Sequence, residues 1–299
     1  MPAEVNAAAA SNADTSAVGN LLENAIRNIG IPPCPAILEQ INAEMRKDEP
    51  DLNYLTRIIG SDVGISAGLI TIANSPFFGL RRHVRSVNEA LMLLGLSVAS
   101  RALAGLILQK AFPNPPRLER FWHASANIAR VSGWLAQQDH NRTKIRAEDA
   151  YTLGLFRDSG IPLLLKRFDH YYEVLKQANE ERELGFIAVE DSSCSTNHAM
   201  VGGLLAQGWW LPEDIWMAIR HHHDYPQLAR GSESALSPAT KGLIATALLA
   251  EHLVQHHIDL AHTEEWHKGG PVCLEALDLT AEDLDQLYAE SAAVVIGND

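Results

Sequence analysis

The order of hydrophobic and polar residues along the chain is typical of helices. From Leu21 onward, apolar residues recur at spacings of three and four, which places them on one face of a helix with 3.6 residues per turn. Runs that alternate between apolar and polar residues, the pattern of strands, are nearly absent. The sequence therefore predicts an all-α protein.

One helix start is especially clear. Ser86 and Glu89 stand three residues apart at the head of a long periodic apolar run that continues to about Lys110. This spacing is that of a capping box, in which the serine side chain accepts from the backbone N–H at the glutamate position. We therefore expect one long helix to begin directly after Ser86.

A proline cluster divides the helical pattern into two parts. Pro113, Pro115 and Pro116 follow the long apolar run, and proline in a helix interior removes a backbone donor. Residues 112–117 are thus the predicted boundary between two helical lobes. The predicted organisation is a disordered leader at 1–19, an N-terminal helical lobe at 20–112, a second helical lobe at 118–258 and an acidic C-terminal segment at 259–299. Helices are predicted in the second lobe at about 118–138, 147–157, 170–180, 196–208, 212–223 and 240–256, with one more in the C-terminal segment.

Composition narrows the range of partners. The formal net charge of -13 repels phosphate backbones and anionic membrane surfaces, so neither nucleic acid nor a membrane is an expected partner. No apolar run approaches the roughly 18 residues that a membrane span requires. The three cysteines form no CxxC pair, as expected of a reducing compartment. We therefore expect a cytoplasmic protein.

Three ionisable residues fall on apolar helical faces. His222 follows Ile215 and Ile219 at helical spacing, His198 shares a face with Val201 and Leu205, and Asp158 shares one with Tyr151 and Leu155. A buried carboxylate is costly unless it is paired or metal-bound, and imidazole with carboxylate suits a divalent transition metal. Hydrogen-bonded core residues would give the same pattern, so periodicity alone leaves both interpretations open.

Several ordered motifs resemble one known family. They are IPPCPAIL at 31–38, IGSD at 59–62, IANSPFFG at 72–79, NHAMVG at 197–202, WLP at 210–212 and IRHHHD at 219–224. Over roughly residues 25–255 the chain resembles HDOD domains. This family is similar to the HD superfamily of metal-dependent phosphohydrolases, which includes the HD-GYP cyclic di-GMP phosphodiesterases. The resemblance implies that the second lobe is an HD-like helical bundle.

The resemblance also implies a set of candidate metal ligands. Carried over position by position, they are His123, Asp158, His198, His222, His223 and Glu251. Manganese, iron or nickel is the metal that such a set would hold, although no cofactor is firmly indicated. Where the family has a His-Asp pair, this chain has Arg157-Asp158. Arginine has no lone pair to donate, so Arg157 cannot be a ligand and is instead expected to pair with Asp158, Glu251 or another carboxylate.

Two functions remain open. The first is a non-catalytic HDOD-type module of bacterial signal transduction with a degenerate metal site, which works through protein partners and plays a regulatory role. The alternative is a mononuclear metal-dependent phosphohydrolase that acts on a nucleotide or cyclic dinucleotide, with Arg157 as a phosphate clamp. No Gly-Tyr-Pro element follows the double histidine, since Asp224-Tyr225-Pro226 stands there. A nucleotide ligand without turnover is a third possibility.

Overall fold

The fold is all-α, as predicted. The computed structural model describes residues 29–75, 83–112, 116–138, 145–258 and 263–296, and within these ranges every regular element is a helix. The N-terminal helices are α1 (Ala36–Met45), α2 (Leu52–Gly60), α3 (Val63–Ala73), α4 (Val87–Leu94) and α5 (Leu96–Ala111). They are followed by α6 (Pro116–Gln137), α7 (Ala147–Phe156), α8 (Gly160–Arg167), α9 (Tyr171–Glu180), α10 (Phe186–Cys194), α11 (His198–Gly208), α12 (Glu213–His221), a 3-10 turn (Tyr225–Leu228), α13 (Pro238–His257), α14 (Glu265–Leu277) and α15 (Ala281–Ile296).

The six helices predicted in the second lobe agree with α6, α7, α9, α11, α12 and α13 to within two residues at each end. Two further helices, α8 and α10, were not predicted. Both are short, at 8 and 9 residues, so each offers only about two turns of periodicity to read. Both nevertheless matter, because α10 carries a buried glutamate and α8 begins beside the candidate site.

The predicted helix start at Ser86 is confirmed, but the single long helix is not. The hydroxyl of Ser86 accepts from the backbone N–H of Glu89 at 3.2 Å, and the Glu89 carboxylate accepts from the backbone N–H of Arg85 at 2.8 Å. At Gly95 the backbone takes φ 77°, in the left-handed region that glycine tolerates without strain. The predicted run to Lys110 is therefore two helices, α4 and α5, because Gly95 turns the chain between them.

The two predicted lobes pack directly against each other. Helix α5 ends at Ala111 and α6 begins at Pro116, while residues 113–115 lie outside the described residues. Arg101 of α5 ion-pairs with Asp149 of α7, and the indole N–H of Trp209 donates to the carbonyl of Pro32 at 3.3 Å. One continuous hydrophobic core includes residues of both lobes. The division of the chain into two lobes near 112–117 therefore stays a prediction.

The C-terminal segment is part of this core. It forms two helices, α14 and α15, where the sequence indicated one, and both pack against α13. Cys273 of α14 is fully buried, and its thiol donates to the carbonyl of Ala245 in α13 at 3.1 Å. The segment is therefore packed against the second lobe over the residues that the structure describes.

The remaining expectations concern the N-terminal leader, part of one sequence motif, and membrane-spanning helices. The leader at 1–19 and the motif residues 76–79 lie outside the described ranges. Among the residues described, no single helix is both long and apolar enough to cross a membrane. Helices α2 and α3 taken together have the length and apolar composition of a membrane span, but the chain bends by 117° between them.

Candidate metal centre

The candidate site lies where the ends of several helices meet. Asp158 follows the C-terminus of α7, His198 is the first residue of α11, and His222 and His223 follow α12. Gly160 allows this meeting, because a Cβ at that position would lie 2.1 Å from the carbonyl oxygen of His198. The absence of a side chain therefore lets the start of α8 lie against the start of α11.

Four side chains converge on one point. His198 Nε2 lies 3.2 Å from His222 Nε2 and 3.1 Å from His223 Nε2. Asp158 Oδ1 lies 3.5 Å from His198 Nε2 and 3.4 Å from His222 Nε2. One donor atom from each of the four residues falls within 4.8 Å of the others. The structure thus brings together Asp158, His198 and His222, as their shared inward position predicts, and adds His223.

The outer nitrogen of each histidine ring has its own acceptor. His198 Nδ1 lies 2.8 Å from Glu190 Oε2, His222 Nδ1 lies 2.7 Å from the carbonyl oxygen of Ile219, and His223 Nδ1 lies 2.5 Å from Glu265 Oε2. An Nδ1–H that donates outward leaves the Nε2 lone pair facing inward, which is the tautomer of metal-ligating histidines. All three rings are therefore oriented as ligands would be.

These distances fit a single bound cation. Ligand atoms about 2.1 Å from one metal lie about 3.0 Å apart at right angles and about 3.4 Å apart at tetrahedral angles. The four spacings that join His198 to His222, His223 and Asp158, and Asp158 to His222, are 3.1 to 3.5 Å and so lie close to these values. Three unprotonated Nε2 atoms this close would also place lone pairs against one another, so the cluster needs a positive charge among them. The donor set of three imidazoles and one carboxylate suits a divalent transition metal.

Charged neighbours shift the pKa values of Asp158 and His198 toward their ionised forms. Burial alone would raise the pKa of Asp158, but Arg157 and the imidazoles of His198 and His222 hold that pKa well below its usual range. Burial alone would lower the pKa of His198, but the Glu190 carboxylate and Asp158 raise it to about 10. The carboxylates around the donor atoms therefore favour a positive charge within the cluster.

His223 is held in the neutral form. Burial and the neighbouring His222 lower its pKa to about 3, against the opposing effect of Glu265. Burial alone would raise the pKa of Glu265, yet hydrogen bonds from His223, Lys268 and Tyr225 bring that pKa below its ordinary value. The phenol of Tyr225 donates to Glu265, and the ammonium of Lys268 donates to it at 2.7 Å. Glu265 thus accepts from three side chains and fixes the ring of His223.

Arg157 lies on the other side of Asp158. Its Nε donates to Asp158 Oδ2 at 3.0 Å, and its terminal nitrogens contact the two carboxylate oxygens of Glu251 at 2.6 and 3.1 Å. The side chain is 7% exposed. Burial alone would lower the pKa of Arg157, but Asp158 and Glu251 raise it above its ordinary value, so the group is a permanent cation. Asp158 is therefore shared between the histidine cluster through Oδ1 and a buried guanidinium through Oδ2.

Two of the candidate ligands have other positions. His123 is exposed, and its carbonyl accepts from the side-chain amide of Asn127. The face of α6 that lines the site carries Phe121, Ala124 and Ile128 at helical spacing, so His123 points away from it. The structure does not bring His123 to the cluster. Glu251 is buried beside the site but binds Arg157 rather than facing the histidines.

The acceptors behind the histidines were not found from the sequence. Glu190 is fully buried and accepts from the phenol of Tyr171 as well as facing His198. A signal existed, since Glu190 continues the apolar stripe of Phe186 and Val189 on α10. Glu265 stands in the acidic C-terminal segment, where nothing but its burial sets it apart.

A cavity of about 1000 Å³ opens beside this site. Its lining includes five buried or half-buried residues at or next to the donor cluster, which define what we call its inner end: Arg157, Asp158, His223, Glu251 and Glu265. Its walls come mostly from apolar residues of α6, α8, α9 and α13. A small molecule therefore has access to the region next to the donor cluster.

The sequence of the chain is similar to one protein family and to one further protein. The model of the HDOD domain matches residues 31–225. An uncharacterized protein of Treponema pallidum (strain Nichols) is 26% identical over 200 residues, which are 66% of this chain and 38% of that protein. The chain thus spans well under half the length of this relative.

Solved structures share the fold at low sequence identity. An HDOD domain protein of unknown function from Geobacter sulfurreducens is 22% identical with a TM-score of 0.61, over 88% of this chain and 92% of that one. A protein from Marinobacter aquaeolei VT8, provisionally named a signal transduction protein, is 19% identical with a TM-score of 0.64, over 90% and 59%. A protein from Shewanella amazonensis SB2B, provisionally named a phosphohydrolase, is 15% identical with a TM-score of 0.64, over 90% and 96%.

Proposed function

Because the chain belongs to the HDOD family, we propose that it is a non-catalytic signal-transduction and interaction module whose hydrolase-type metal site is degenerate. Its partners are other proteins of a regulatory pathway. The provisional name of the similar Marinobacter structure, a signal transduction protein, agrees with this role.

The observation that carries the proposal is the buried guanidinium of Arg157. In the family pattern a histidine, which can bind a metal, precedes the aspartate, whereas this chain has Arg157 before Asp158. Here Asp158 faces the histidine cluster through Oδ1 and Arg157 through Oδ2. A fixed side-chain cation thus lies directly beside the donor cluster, and its charge would repel a second divalent ion.

One metal remains compatible with the rest of the site. Asp158, His198, His222 and His223 would hold it, and manganese, iron or nickel suits these donors. When bound, such a metal supplies Lewis acidity and lowers the pKa of a bound water. The chain's own residues orient the donors: Glu190 and Glu265 fix two of the rings, and Arg157 fixes Asp158.

The alternative function is a mononuclear phosphohydrolase, and the cavity beside the donors favours it. In that case Arg157 would bind the phosphate of the substrate. Nε and both terminal nitrogens of the guanidinium already contact Asp158 or Glu251, so only one N–H on each terminal nitrogen is left for a phosphate. This engagement favours the structural role of Arg157 over the phosphate clamp.

The test combines metal content with turnover. The full-length protein is purified without added metal, analysed for metals by mass spectrometry, and assayed with cyclic di-GMP and bis(p-nitrophenyl) phosphate. We expect at most one transition metal per chain and no turnover above that of His222→Ala, which lacks a donor. Arg157→His should bind metal more tightly than wild type, because it removes the fixed charge and adds an imidazole.

Arg182→His is the matched control, since Arg182 is exposed and pairs with Glu264 at the surface. Circular dichroism must show that each variant is folded. Two metals in the wild type, or turnover that Arg157→His does not improve, would mean that Arg157 belongs to a working enzyme.

A further inference from the structure

The cavity beside the metal centre has apolar walls. Facing residues include Phe121 and Ile128 of α6, Leu165 of α8, Leu175 of α9 and Val254 of α13. Apolar side chains of this kind offer no hydrogen bonds to a ligand. They favour a ligand with a hydrocarbon part, because burying apolar surface on both sides is favourable. A volume of about 1000 Å³ is at the upper end of the range for small-molecule sites.

The charges at the inner end of the cavity are already compensated. Arg157 is bound by Asp158 and Glu251, and Glu265 accepts from Lys268 and other groups. Three carboxylates and one guanidinium line this end, so the side chains there do not attract a further anion. The acidic group of a ligand therefore has to be bound elsewhere.

The mouth of the cavity has the opposite charge. Among the lining residues that are exposed, Arg120, Lys166 and Lys176 are cationic and only Glu180 is anionic. Neither Lys166 nor Lys176 ion-pairs with a carboxylate within the part of the chain that the structure describes. A positive rim in a chain of net charge -13 is a local reversal that attracts small anions to this opening.

We propose that the cavity binds an amphipathic anion, with its hydrocarbon body between the apolar walls and its carboxylate or phosphate group beside Lys166 and Lys176. A cyclic dinucleotide fits less well, because its two bases and two phosphates need several polar partners along the walls. This inference goes beyond the proposed function, and it does not require a metal, since the acidic group lies at the rim.

The experiment measures binding to the full-length protein by titration calorimetry. The probes are dodecanoate, dodecyl phosphate, dodecanol and cyclic di-GMP, all below their critical micelle concentrations where they have one. We expect both anions to bind one per chain, and dodecanol to bind about tenfold more weakly because it lacks the charged group. The two anions distinguish a fatty-acid carboxylate from a lipid phosphate as the preferred head group.

The rim is tested by Lys166→Gln/Lys176→Gln. We expect the Kd of both anions to rise about tenfold while the Kd of dodecanol stays constant. As the control, Lys47→Gln/Lys110→Gln removes the same amount of positive charge from the N-terminal lobe. It should change neither the Kd of the anions nor the Kd of dodecanol. Ala124→Trp fills the cavity and should abolish binding of all the alkyl probes, with circular dichroism to show that it is folded.

Four outcomes would overturn the proposal: equal binding of dodecanol and the anions, binding of cyclic di-GMP without dodecanoate, no binding of any probe, or anion binding that is lost with the metal. Each titration is repeated after treatment with EDTA, and the Kd of the anions should not change. Binding that is lost with the metal would instead place the head group at the metal centre. Metal content and turnover, which test the proposed function, are read separately.

Discussion

Among the residues that the structure describes, two groups of three histidines have different surroundings. The first comprises His198, His222 and His223, and the second lies on α13 and comprises His252, His256 and His257. In the first, ring centroids of successive members lie 4.1 to 5.1 Å apart, and in the second those of His256 and His257 lie 5.0 Å apart. Neighbouring imidazole rings therefore lie about equally close in the two regions.

Their neighbours make the difference. His198 faces Glu190 and Asp158, which raise its pKa to about 10 against the effect of burial. His252 stacks on Trp266 at 4.0 Å and bonds to Tyr288, and burial with the nearby His256 lowers its pKa to about 4. Carboxylates behind the rings thus create a site for a cation, whereas aromatic neighbours hold a neutral ring as a structural contact between α13 and the C-terminal helices.

The largest effect is expected from removing the charge balance of the first cluster. Arg157→Met leaves Asp158 and Glu251 buried without their cation, and the free energy of unfolding should fall by about 3 to 5 kcal/mol in urea denaturation. Arg182→Met breaks an exposed pair and should cost less than about 1 kcal/mol. Equal losses in both variants would show that the Arg157 pairs contribute no more than a surface contact.

A smaller effect is expected from the acceptor behind His198. Glu190→Gln keeps the shape of the side chain but removes the charge that orients and polarises the ring, so the affinity for nickel or manganese should fall by roughly 10- to 100-fold. Metal titration of the purified chain measures this. Tyr288→Phe alters the second cluster and should leave metal affinity unchanged. If both variants bind metal like the wild type, Glu190 does not support the donor set.

The second cluster should show its own dependence on pH. Folding lowers the pKa of His252 from 6.5 to about 4, so the unfolded chain takes up the proton first as the pH falls. Its contribution to stability is complete above pH 6.5, decreases between pH 6.5 and 4, and changes no further below. Because the side chain is only half-buried, we expect the free energy of unfolding to fall by about 1 kcal/mol across this pH range through His252.

His252→Phe keeps an aromatic ring on Trp266 and removes the titrating group. Urea denaturation at several pH values should therefore show a shallower loss of stability for this variant than for the wild type. Identical pH profiles would mean that other groups account for the acid sensitivity.

The smallest effect is expected at His123. Since it is exposed and makes no contact with the donor cluster, His123→Ala should change metal affinity less than twofold and stability within about 0.5 kcal/mol. The same metal and urea titrations check this. A marked loss of metal would place His123 back among the ligands and extend the first cluster to α6.

The sequence by itself determined most of the helices and which of their faces are buried. Helical periodicity and caps such as Ser86 depend on contacts within a few residues, so they can be read locally. The inward position of Asp158, His198 and His222 was predicted in the same way. The resemblance to a family then added His223 and indicated that Arg157 would pair with a carboxylate.

Only the tertiary structure decided which inward groups meet. Glu251 lies 94 residues from Arg157 in the chain, and Glu265 lies 42 residues from His223, so no local pattern links these partners. It also decided that His123 points away from the site. Periodicity gives the direction of a side chain relative to its own helix, whereas charge pairing and ligand geometry depend on how the helices are placed against one another.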